Sequence, residues 1–260
     1  MDFELNEEQR FLAESVERFL NERYDFEARR AIVNADTDSS ASEAVWSQLA
    51  EMGVLTIPVS EAAGGFGGGA VDLMATMQAA GAALLVEPLL ANLVAARLVD
   101  RLGSQAQREA LLPGVMDGSS RIALAHTEDE ARFELANVQT QARPDAEGFD
   151  LSGVKRMVAG APSARQLVVS ARTPAGTSLF IVPADAQGVA MSAYQCFDDS
   201  RAADVRLSAV RVGADALLGA EGAAQAAIDE AHDFAIALLC AEAVGAIDYA
   251  VSTTLEYLKT

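Results

Sequence analysis

Few residues in this chain are of the kinds that carry chemistry, and their spacing narrows that chemistry further. Two histidines and two cysteines occur in 260 residues. Cys196 and Cys240 stand in unrelated surroundings, with no Cys-x-x-Cys spacing and few histidines nearby, so neither a zinc site nor a disulfide framework follows. Both are expected to be buried thiols, the usual fate of free cysteine. The run Ala63 to Gly69 is rich in glycine, which lets backbone N–H groups approach a phosphate. No Lys-Ser or Lys-Thr follows it and no strand leads into it. The expectation is therefore a flexible turn into a helix beginning at Val71, not a phosphate loop.

The charge limits partners. With 19 Lys and Arg against 38 Asp and Glu the formal net charge is −19, which repels nucleic acid and anionic membranes at long range. An anion site here must be local, built from backbone N–H groups or a few arginines. The N-terminal stretch lacks the basic region and continuous apolar core of a signal peptide, and no run of 18 apolar residues occurs. A soluble, cytoplasmic protein is expected. Its length and its 51% hydrophobic content suffice for one large or two small globular domains.

The elements that must position any site change period twice. Asn6 as N-cap with Gln9 three residues on has the capping-box spacing, and Leu5, Phe11, Leu12, Val16, Phe19 and Leu20 recur near helical period. A second helix around Val45, Leu49 and Met52 should end at Gly53, and others fit Val71 to Leu84, Pro88 to Leu102 and Gln105 to Met116. From Arg121 the period becomes 2. Strands are expected over 122–127, 137–142, 149–151, 166–171, 178–182, 189–194 and 204–212, separated by turn residues and not by helices. After Leu218-Gly219 the helical period returns. Val244, Ile247, Val251, Leu255 and Leu258 form one apolar stripe on a helix spanning 221–260, which demands a covering partner. The fold class is α+β: an N-terminal helical domain (1–120), a central antiparallel, β-barrel-like domain (121–215), and the first long helix of a C-terminal helical bundle (216–260). An oligomer, or a natural chain that runs on past Thr260, would cover the stripe.

Several local strings, in this order, resemble the acyl-CoA dehydrogenase family: Pro58 to Gly67, Ala123 to Glu128, Ser152 to Lys155, Val210 to Val212 and Glu256 to Thr260. The resemblance covers the whole chain. It is nearest to a bacterial branch, often of paired unequal subunits, that includes pimeloyl-CoA-type and steroid-side-chain dehydrogenases. It implies FAD as cofactor, an acyl-CoA substrate dehydrogenated at its α,β bond, an electron-transfer flavoprotein or similar acceptor, and homo- or hetero-oligomers of related subunits. It also implies that the chain stops before the family's C-terminal part.

Carried over by position, the resemblance places Leu124, His126 and Thr127 at the flavin edge, with the Thr127 hydroxyl near N5 and a protonated His126 able to stabilise a reduced flavin anion. Met157, Val158 and Ala159 fall on the family's second flavin-facing segment, Met157 replacing an aromatic wall and Ala159 a threonine. Phe133 occupies a substrate- or pyrophosphate-contacting position where the family has serine, and Arg132 offers a charge beside it. Ala235 and Ile236 stand where some members carry the base and an arginine, so no catalytic residue is assigned; Asp233 and Glu242 are the nearby carboxylates. The resemblance therefore supports a dehydrogenase lacking its C-terminal third, or a non-catalytic structural subunit of a heteromeric one.

Overall fold

The structure, a computed structural model, describes residues 5–35, 41–131 and 133–259. Helices come first. The capping box forms at α1 (Glu7–Arg23), where Asn6 and Gln9 exchange side-chain-to-backbone hydrogen bonds, both 2.8 Å. A short helix that the sequence reading passed over, α2 (Phe26–Val33), is capped by Asp25. The others are α3 (Glu43–Glu51), α4 (Ala70–Ala82), α5 (Leu89–Leu102) and α6 (Gln105–Met116). Gly53 takes the left-handed conformation (φ 81°) that closes α3, as its position predicts.

The glycine run is not a flexible turn. N–H groups of Gly65, Phe66, Gly67 and Gly68 bond the carbonyls of Ser60, Thr56, Val59 and Ile57 at 2.6–3.1 Å, and Gly69 N–H bonds Asp72 Oδ2. A Cβ on Gly65 would lie 2.2 Å from Val59 O. The glycines let chain cross chain, and none of these five donors is left for an anion.

Eight strands follow: β1 (Ile122–Ala125), β2 (Gln141–Pro144), β3 (Gly148–Ala159), β4 (Gln166–Thr173), β5 (Gly176–Pro183), β6 (Val189–Gln195), β7 (Arg201–Gly213) and β8 (Leu217–Leu218). They form one sheet in the order β6-β7-β3-β2-β4-β5-β8, with β1 beside β4. Most pairings are antiparallel, but β1–β4 and β2–β4 run parallel and the sheet stays open, so the central layer is a mixed sheet and not a closed antiparallel barrel. The strand expected at 137–142 begins only at Gln141, because N–H groups of Gln139 and Thr140 are held by the Glu128 carboxylate instead of a ladder. The one expected at 149–151 runs on to Ala159 through two register shifts against β7, at Leu151/Gly153 and Lys155/Val158.

The last element, α7 (Gln225–Lys259), is a single helix of 35 residues, about 50 Å long at 1.5 Å per residue. By length and composition alone it is long and apolar enough to cross a membrane. Its first half instead packs into the helical core, burying Ile228, Phe234, Leu238 and Ala241. Its crossing with α4 is backbone against backbone: a Cβ on Gly81 would sit 1.9 Å from Glu242 O, and one on Gly245 1.9 Å from Gln78 O. The outer half leaves Val244, Ile247, Val251, Leu255 and Leu258 exposed.

Candidate functional site

The chain leaves β1 through His126, Thr127 and Glu128, and a buried ion pair fixes that exit. Lys155, on β3, is fully buried and puts Nζ 2.6 Å from Glu128 Oε1, 2.8 Å from Ser170 Oγ and 3.3 Å from His126 O. Three acceptors satisfy all three ammonium protons. Burial alone would raise the Glu128 carboxyl; the Lys155 charge and the hydrogen bonds from Lys155, Thr140 and Gln139 outweigh it and hold the group below its ordinary value. Burial pulls Lys155 down to about 8 against the attraction of Glu128, so the ammonium persists at neutral pH. Lys155 and Glu128 were not singled out as positioning residues in the sequence, although both lie inside strings that carry the resemblance.

Beside the pair, β3 bulges. Arg156 N–H bonds Thr127 O at 2.8 Å, and the Arg156 side chain spans Asp129 and Asp204. Met157 takes φ 49°, unusual for a side-chain-bearing residue, and its N–H turns to Asp204 Oδ1 at 3.3 Å. The consequence is alternation: Met157 and Ala159 face outward while Val158 is 2% exposed in the sheet core. Val158 therefore offers a surface ligand no side chain, contrary to its expected place on a flavin-facing wall.

Met157, Ala159 and Leu124 line a cavity of about 320 Å³ between the sheet, α4–α5 and α7. Ala235, Leu239 and Glu242, at i, i+4 and i+7, present one face of α7 to the same space. Thr127 is exposed next to this wall, tied to it by its carbonyl bond to Arg156. A larger groove, about 800 Å³, lies between α1 and the glycine turn, walled by Phe11, Leu12, Met52 and Phe66; it contains none of the expected site residues.

Other expected residues fall differently. His126 turns its ring inward, Nδ1 2.9 Å from Ser170 Oγ. Burial, and then the Lys155 charge, lower its pKa to about 4, so the imidazole is neutral at pH 7 and is no cation for a reduced flavin. Phe133 is fully exposed and lines none of the cavities described above. Arg132 lies outside the described residues. Ile236 is 46% exposed and Asp233 is exposed, off the face that Ala235 shares with the cavity. Neither cysteine is buried: Cys240 is exposed because it lies on the outer side of α7, and Cys196 is half-buried at the β6–β7 turn.

Family models for the Acyl-CoA dehydrogenase N-terminal domain and middle domain match residues 6–119 and 123–209. Acyl-CoA dehydrogenase FadE12 of Mycobacterium tuberculosis is 31% identical over 227 residues, 83% of this chain and 58% of that protein. Among solved structures, a variant of the Tcur3481-Tcur3483 steroid ACAD is 33% identical with TM-score 0.84, covering 97% of this chain and 67% of that one. PigA with FAD and proline is 27% identical with TM-score 0.88, covering 99% and 70%. The chain thus spans 58% of the length of FadE12, a curated relative it matches. With both domain models in sequence order and the helix–sheet–helix architecture shared, the chain belongs to the acyl-CoA dehydrogenase family.

Proposed function

We propose that the chain supplies the flavin wall and one side of the acyl cavity of an FAD-dependent acyl-CoA dehydrogenase. The observation that carries this reading is the cavity itself, where Leu124, Met157 and Ala159 of the sheet face Ala235 and Leu239 of α7 across a space of about 320 Å³. The wall offers a ring an apolar face: Leu124 is half-buried, Met157 is 66% exposed, and Ala159 and the Thr127 side chain are exposed beside them. PigA, whose fold this chain shares, is a relative solved with FAD.

FAD, when bound, supplies the acceptor for the hydride that leaves the β-carbon of an acyl thioester. The chain's own work is orientation. Thr127 offers a hydroxyl to the ring edge, held in place because its carbonyl is bonded to Arg156 and the next residue, Glu128, is locked to Lys155. Met157 and Ala159 provide apolar contact and exclude water. Ala235 offers no proton acceptor, and Glu242 stands about 10 Å further along α7. None of the described residues is assigned as the base that takes the α-proton.

The partners of this reading are an acyl-CoA, an electron-transfer flavoprotein or similar acceptor, and related subunits that cover the outer half of α7, in the cytoplasm. The Tcur3481-Tcur3483 relative, named for two proteins, supports such an assembly. Titration of the purified protein with FAD, followed by quenching of flavin fluorescence, tests the reading. Near-equimolar binding, weakened in Thr127→Ala, is expected; a protein that leaves flavin fluorescence unchanged contradicts it.

A further inference from the structure

The far end of the cavity differs from its sheet wall. Along α7 the lining runs from Ala235 through Leu239 to Glu242, so an acyl chain laid beside the helix passes two apolar positions and then meets a carboxylate. Glu242 is half-buried, and among the described residues its side chain makes no hydrogen bond or ion pair. Such a group is costly in an apolar recess unless something pairs with it. Its charged neighbours on the same wall are Asp198, which repels it, Glu87 and Arg201. Arg201 has an interaction of its own. Glu87 is 4% exposed and keeps Oε2 without a hydrogen-bond partner. Burial and then Asp198 hold the Glu242 carboxyl above its ordinary value, the state of an acid that lacks a donor.

We infer that Glu242 is a specificity residue that selects acyl chains carrying a hydrogen-bond donor, a hydroxyl or an amine, at the end remote from the thioester. The inference rests on the proposed acyl-binding role of this cavity. A plain methyl end would leave Glu242 desolvated and unpaired, whereas a donor satisfies it. With Asp198, Glu87 and Glu242 against Arg201 on its lining, this end is net acidic, so it disfavours a chain that ends in a carboxylate.

Equilibrium titration of the protein with octanoyl-CoA, ω-hydroxyoctanoyl-CoA and ω-aminooctanoyl-CoA tests this. The hydroxyl-ended chain is expected to bind about tenfold more tightly than octanoyl-CoA. In Glu242→Leu the difference should vanish while octanoyl-CoA binds at least as well. A further gain with the amine supports a cationic donor; a gain with the hydroxyl alone supports a neutral one. Equal affinity for all three, or a preference that survives in Glu242→Leu, overturns the inference while leaving the acyl site intact. Failure of octanoyl-CoA itself to bind overturns the cavity assignment, and this inference with it.

Discussion

Lys155 Nζ lies 2.6 Å from Glu128 Oε1 with both side chains out of solvent, and this contact fastens the exit of β1 to the middle of β3. On one side of it Glu128 also collects the backbone N–H groups of Gln139 and Thr140; on the other, Arg156 and Met157 begin the bulge that turns Met157 outward. One ion pair thus sets the geometry of both segments that line the proposed flavin wall.

Breaking it on one side should be costly. Glu128→Gln strands a buried ammonium and weakens the anchor of the 139–140 segment, so a loss of about 3–5 kcal/mol in unfolding free energy is expected. Lys155→Met combined with Glu128→Gln should recover part of that loss, because no buried charge then lacks a partner. Urea unfolding of the single and double variants measures both, and an additive double variant would contradict the coupling.

Acid should destabilise the fold through His126. Its folded value of about 4 lies below the ordinary 6.5, so the unfolded chain takes up a proton as pH falls while the folded one refuses it. This contribution is present in full above pH 6.5 and is lost between 6.5 and 4, amounting to about 3 kcal/mol. Glu128, held below its ordinary value, adds a loss at lower pH still. Denaturant midpoints measured from pH 7 to pH 4 should fall less steeply in His126→Phe than in the parent.

The α4–α7 crossing allows no side chain at its centre. Gly81→Ala places a methyl 1.9 Å from Glu242 O, so the helices must separate; a loss of about 1–3 kcal/mol is expected, with a cavity displaced from Leu239 and Glu242. Thermal unfolding of Gly81→Ala and Gly245→Ala checks it, and unchanged midpoints would show that the two backbones are not in contact.

The outer half of α7 should behave as an interface. Replacing Ile247 and Val251, 60% and 52% exposed, by Asp is expected to shift the protein toward smaller species in sedimentation velocity without changing its unfolding midpoint. A parent chain that is already monomeric and soluble at high concentration would remove this expectation.

What the sequence disclosed was local. Asn6 with Gln9, and Gly53 after Met52, mark helix ends through bonds only three or four residues long, and the change to period 2 near Arg121 needs no knowledge of partners. The misreadings come from distant partners. Val138 and Thr140 alternate like a strand, yet the Glu128 carboxylate takes the Gln139 and Thr140 donors that a ladder would need. His126, placed at the flavin edge by the resemblance, is drawn inward by Ser170 on a neighbouring strand paired in parallel. The bulge that buries Val158 and exposes Met157 depends on Asp204 across the sheet, so the resemblance, which named Met157, Val158 and Ala159 together, carried no sign that Val158 turns inward.

The most direct test of the flavin wall is a crystal structure of the protein with FAD. The account predicts the isoalloxazine ring against Met157 and Ala159, with its edge within hydrogen-bond reach of the Thr127 hydroxyl. A ring bound elsewhere, with Met157 and Ala159 still open to solvent, would contradict it.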